Sequence, residues 1–193
     1  MTRVRWWGTG VVALVLLVLC GGLSLVDGAL GSGGRRLAPG TVLSAGTERD
    51  GGRPVSFAVP SSGWVLNTAD TSLSSNIRLR NGDVGVSVSV VVPLGPLDAR
   101  KLWRGLARIV EADGRTRLAE NPTVIMTAHG LRGLTGPITG RERAGTAAVF
   151  ATAGLGATVT AAGPPHAYGR VAPEIQALAR TVQIRPPTGS PRS

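Results

Sequence analysis

His129 and His166 are the only imidazoles in this chain. Each stands beside glycine or proline, in loop context, and neither has a carboxylate or thiol at the spacing that a metal site uses. A serine hydrolase would have to bring one of them to Ser74 or Ser75, with an acid from a distant position. No Gly-x-Ser-x-Gly elbow, Walker loop or His-Glu-x-x-His pattern supports such chemistry locally. The 11 acidic residues are spread along the chain, with no pair spaced for acid–base work. Gly154-Leu155-Gly156 starts like a dinucleotide fingerprint, but Val159 occupies the place of the third glycine and no strand-to-helix context surrounds it. Cys20 is the single cysteine, so a disulfide within the chain is excluded. These residues imply no cofactor, no metal and no enzyme.

One charged constellation remains. Arg100, Arg104 and Arg108 recur every fourth residue, with Lys101 beside them. Guanidinium groups stay charged and fork onto phosphate or carboxylate. A solvated outer face is the plain alternative. The functional reading is contact with anionic lipid, a wall polymer or an acidic envelope protein.

The element that positions these cations is a helix over 97–112. At about 100° per residue, Ala99, Leu102, Trp103, Leu106, Ile109 and Val110 share one side, and the cations with Glu111 share the other. Asp98 is a cap candidate and Gly114 a stop. The apolar stripe needs a sheet to cover. Trp64 and Trp103 read as core aromatics.

The strands for that sheet are visible. Val55 to Val59 alternates, and Ile77-Arg78-Leu79-Arg80 alternates again. Asn81-Gly82-Asp83 then predicts a tight hairpin into Val84 to Val92, with Val84, Val86, Val88, Val90 and Val92 on one face. Residues 115–122 read as a polar connection and 123–128 as a strand. Residues 131–139 read as irregular or an edge, because of Gly133, Gly136 and Pro137. Ala144–Ala151 and Ala157–Ala162 form a pair. A second helix is expected from Ala172, with Pro173 in its first turn, Ile175, Leu178 and Ala179 inward, and Glu174, Gln176 and Arg180 outward. Val182-Gln183-Ile184 is a last short extended piece.

Ahead of this domain, residues 6–26 carry no charge and are long enough to span a bilayer as a helix, about 31 Å. Arg3 and Arg5 precede the run and Trp6 and Trp7 sit at its interface, so the reading is an uncleaved signal-anchor with a cytoplasmic tail at 1–5. Cleavage after Gly22 or Gly28, and lipidation at Cys20, are the alternatives. Residues 27–53 read as a flexible linker, 54–185 as an extracytoplasmic α+β domain and 186–193 as a disordered tail. The net charge of +10, with 21 basic residues, comes without a nucleic-acid motif, so no nucleic-acid partner is expected.

The run Val55-Ser56-Phe57-Ala58-Val59-Pro60-Ser61-Ser62-Gly63-Trp64 resembles the opening of PsbP-like and LpqN-like extracytoplasmic domains. The stretch Ala157 to Pro164, followed by a helix and Arg180-Thr181-Val182-Gln183-Ile184, resembles their close. The resemblance implies an antiparallel β-sheet flanked by two helices, here preceded by one N-terminal transmembrane helix. It also implies a mostly non-enzymatic binding or assembly accessory of the bacterial cell envelope, in the cell membrane with its C-terminal domain extracytoplasmic. An envelope hydrolase with a dispersed Ser/His site is the rival class, and a lipid or small-molecule carrier the third.

Overall fold

The computed structural model describes residues 34–48, 52–93, 95, 97–112, 114–152 and 154–185. Every described element lies within Arg35–Ser193, which forms one compact unit. The expected tail 1–5, the membrane span 6–26 and the C-terminal tail 186–193 lie outside the described residues. Among the described residues, no helix is long and apolar enough to cross a membrane.

The fold is α+β with antiparallel sheets and two helices. The elements in chain order are β1 (Arg35–Arg36), β2 (Val42–Ala45), β3 (Val55–Ala58), β4 (Val65–Leu66), β5 (Asn76–Asn81), β6 (Val84–Val91), α1 (Ala99–Glu111), β7 (Thr116–Leu118), β8 (Thr123–Met126), β9 (Arg132–Gly140), β10 (Ala144–Ala151), β11 (Gly156–Gly163), α2 (Pro165–Arg180) and β12 (Gln183–Ile184). Nine strands form one sheet in the order β1-β4-β5-β6-β11-β10-β9-β7, with β8 also paired to β9. A second sheet runs β12-β3-β2.

Alternation along the strands divides the core. On β10, Ala147 and Val149 join Leu102, Trp103 and Leu106 of α1, with Leu118 and Ile138. Ala148 and Phe150 point the other way, into a larger core with Phe57, Trp64, Ile77, Val88, Val159 and the α2 residues Ile175 and Leu178. The large sheet is thus a layer between α1 on one face and α2 with the small sheet on the other.

The β5–β6 hairpin follows from its turn chemistry. Asn81 pairs with Val84, and Gly82 takes the left-handed backbone at φ 57° that this turn requires. Val84, Val86 and Val88 are buried, but Val92 lies past the strand end and is 70% exposed. On α1, the Asp98 side chain accepts from Lys101 N at 2.7 Å, and Gly114, at φ 66°, follows the last turn. Ile109, expected on the covered side, is 74% exposed. The helix packs on β7, β9 and β10 through a narrower stripe centred on Leu102, Trp103 and Leu106.

Four other expectations are corrected. Residues 35–36 and 42–45, inside the stretch read as a flexible linker, are strands. They are too short to show periodicity, yet Leu37 and Ala45 are buried. Thr116–Leu118, read as connection, is a strand for the same reason. Residues 132–140 form an interior strand rather than an irregular edge. A Cβ on Gly133 would meet Val149 O at 2.4 Å and the Phe150 ring at 2.5 Å, so glycine is what lets this strand pass. Pro137 is tolerated because its backbone faces away from β10: its carbonyl accepts from Ala119 N at 3.0 Å, and the Ala119 carbonyl, which the missing N–H would have used, accepts from Trp103 Nε1 instead. Finally, α2 starts at Pro165, not Ala172, leaving Pro173 inside the helix. Pro165 is the proline that fills the first helical position.

Candidate binding surfaces

The capped N-terminus and the burial of Leu102, Trp103 and Leu106 fix which way α1 turns. Trp103 is held hardest: its Nε1 donates to Ala119 O at 3.0 Å, and its ring lies against Gly136, where a Cβ would approach it to 3.1 Å. Arg100, Lys101, Arg104 and Arg108 are consequently all exposed on the opposite side. Lys101 lies 4.0 Å from Asp98. Among the described residues, Arg100, Arg104 and Arg108 have no ion-pair partner. The four cations therefore form one outward row on a rigid element.

Further cations share that side of the molecule, and the strand alternation was the signal for two of them. Arg78 pairs in register with Ser87, which pairs with Thr160, which pairs with Ala147 under α1. Arg80 and Arg36 reach the same face through Gly85 and Val65. All three arginines are exposed, and Arg78 lies 3.7 Å from Asp70. Strands β1, β4, β5 and β6 extend this sheet face beyond β7, β9 and β10, the strands on which α1 packs. The α1 side is thus a broad basic surface floored by serine, threonine and glycine.

The opposite side holds an arrangement that sequence reasoning missed. Glu174, expected to point outward from α2, accepts from Trp64 Nε1 at 2.9 Å and from the Ser61 hydroxyl at 2.5 Å. Trp64 is fully buried, so the carboxylate satisfies an indole N–H that has no water available to it. Its charge argued for an outward position, yet Glu174 stands four residues before the buried Leu178 and so shares the covered side of the helix. The arrangement ties the Pro60 to Trp64 turn to α2.

The dispersed hydrolase constellation does not assemble at His129, and Ser75, whose carbonyl accepts from Val90 N beside the start of β11, lies at the opposite end of that strand from the α2 start that carries His166. The Ser74 hydroxyl pairs with Ser72 at 2.9 Å and that of Ser75 donates to Asn76 at 3.4 Å. His129 lies in the turn after β8 and His166 in the first turn of α2, both exposed. From Asn76 to β8 the sheet takes five strand steps, roughly 24 Å at about 4.8 Å each. Among the described residues, no group of three or more His, Cys, Asp or Glu side chains is placed to hold a metal ion.

A cleft of about 430 Å³ opens between β8 and the C-terminal half of α2. Its floor is apolar, with Ala148, Val159, Ile175 and Ala179, and Thr135, Gln176 and Arg180 supply polar groups.

No family model matches the chain, and no curated protein matches it in sequence. Among solved structures, it is similar to CyanoP, the cyanobacterial PsbP of Synechocystis sp. PCC 6803, at 17% identity and TM-score 0.52, over 81% of this chain and 99% of that one. It is also similar to the Ran-binding protein Mog1p of Saccharomyces cerevisiae, at 10% identity and TM-score 0.50, over 80% of this chain and 96% of that one. The chain therefore has a PsbP-like fold.

Proposed function

We propose that this chain is a non-catalytic binding or assembly module of a bacterial cell envelope. Residues 6–26 anchor it in the membrane as a single pass, and the PsbP-like domain works on the extracytoplasmic side. The basic face of α1, extended by Arg36, Arg78 and Arg80, is the surface that meets an anionic partner: lipid headgroups, a wall polymer or an acidic envelope protein. The observation that carries this reading is the outward row Arg100, Arg104 and Arg108, set by burial of Leu102, Trp103 and Leu106 and lacking ion-pair partners among the described residues. The use of the same fold by Mog1p, a Ran-binding protein, supports a binding role. An anchor would hold the domain near its partners and raise their effective concentration.

The experiment is photo-cross-linking in intact cells from position 104 on α1 and from position 62 in the turn before Trp64. Adducts with envelope components from position 104 alone support the reading. Full-length protein in the cytosolic fraction, or equal adducts from both positions, contradicts it. The carrier alternative keeps one observation of its own, the apolar floor of the cleft beside α2.

A further inference from the structure

Strand β8 is an edge. It pairs with β9 through Thr123↔Thr135 to Met126↔Arg132, and among the described residues no strand pairs with its other side. The turn that follows fixes its hydrogen-bonding phase. Thr127 N donates to Leu131 O at 3.0 Å, so Ile125 and Thr123 direct their backbone groups toward β9, and Val124 and Met126 turn theirs outward. Natural edge strands are usually guarded by shortness, a lysine, a proline or a bulge, and β8, four residues long with Pro122 just before it, has no charge or bulge within it. Here the strand reads Thr-Val-Ile-Met, without charge, and Val124 and Met126 are 54% and 53% exposed. The cleft of about 430 Å³ lies alongside, lined by the same four residues and by α2.

We propose that β8 is a docking edge for an extended acidic peptide segment of a partner protein, which adds as a further antiparallel or parallel strand. Its backbone bonds to Val124 and Met126, and an apolar side chain leans over Ile125 into the cleft. Charge selects the occupant. Arg180 at the cleft wall and Arg132 opposite Met126 are exposed and have no ion-pair partner among the described residues, so the peptide carries carboxylates. A second copy of this chain is disfavoured, because pairing β8 with itself would bring together two chains of net charge +10. The inference rests on the binding-module reading but uses a different surface from the α1 face.

The test is selection of a phage-displayed library of random dodecapeptides on the full chain in nanodiscs, against empty nanodiscs. The expected result is enrichment of peptides alternating apolar and acidic residues. A synthetic copy of an enriched peptide should lose tenfold or more in affinity when alternate backbone nitrogens are methylated. Val124→Pro, which removes an outward N–H, and Val124→Lys should each weaken binding similarly with an unchanged melting temperature, and Arg180→Gln should weaken it several-fold. No enrichment, undiminished binding to a folded Val124 variant, capture of small amphiphiles in place of peptides, or a dimer cross-linked through β8 would overturn the inference. A chain that selects no peptide but still cross-links through position 104 would leave the α1 reading standing.

Discussion

The indole nitrogen of Trp64 donates to the carboxylate of Glu174 at 2.9 Å, joining the turn before β4 to the middle of α2 across a gap of 110 residues in sequence. Glu174→Ala leaves a fully buried N–H without an acceptor. The expected loss is about 1–3 kcal/mol of unfolding free energy. Glu174→Gln, which keeps an acceptor oxygen, should recover part of it. In the Trp64→Phe background, which carries no donor, Glu174→Ala should cost markedly less. Urea denaturation of the four proteins measures the coupling, and equal cost in both backgrounds would show that the bond contributes nothing.

Glycines in this chain divide into those that make room and those that do not. Gly133→Ala places a Cβ 2.4 Å from the backbone oxygen of Val149, which cannot withdraw without opening the β9–β10 ladder. It should destabilise by about 1–3 kcal/mol, as overpacking does. Gly105→Ala on α1 meets nothing within 4 Å and should stabilise by about 0.5–1 kcal/mol. Thermal melts of the two variants should therefore move in opposite directions.

Much of the architecture was legible because the periodic signals were long. Four alternating valines and an Asn-Gly turn specify β5–β6, and a stripe of Leu102, Trp103 and Leu106 specifies α1. The failures have one cause, which is that a residue's local preference says nothing of its neighbours in space. Gly133 and Gly136 look like strand breakers until Phe150 and Trp103 occupy the room they leave. Pro173 looks like a helix start until Pro165 fills that role. Glu174 looks solvent-facing until Trp64 needs an acceptor. The row of cations on α1 could be read from its spacing. Arg36 was hidden in a two-residue strand, and the open edge at β8 exists only through sheet order.

The cap on α1 gives a third prediction. Asp98 accepts from Lys101 N at 2.7 Å and satisfies one of the free donors at the helix start. Asp98→Ala should cost about 1 kcal/mol and Asp98→Asn much less, since asparagine caps nearly as well. Circular dichroism with chemical denaturation checks both. Equal losses would show that the side-chain acceptor is not what matters at this position.

The basic face is tested most directly by the full chain reconstituted in neutral nanodiscs and mixed with a separate anionic surface. Phosphatidylglycerol vesicles and immobilised polyphosphate serve as that surface, with phosphatidylcholine vesicles as the control. The account predicts capture on at least one anionic surface and none on the neutral one, with capture falling as salt rises. The triple variant Arg100→Gln, Arg104→Gln, Arg108→Gln should lose tenfold or more in capture, with stability changed by no more than about 0.5 kcal/mol as for surface positions. Undiminished capture of the triple variant, or no capture of the unaltered chain on either anionic surface, would contradict it.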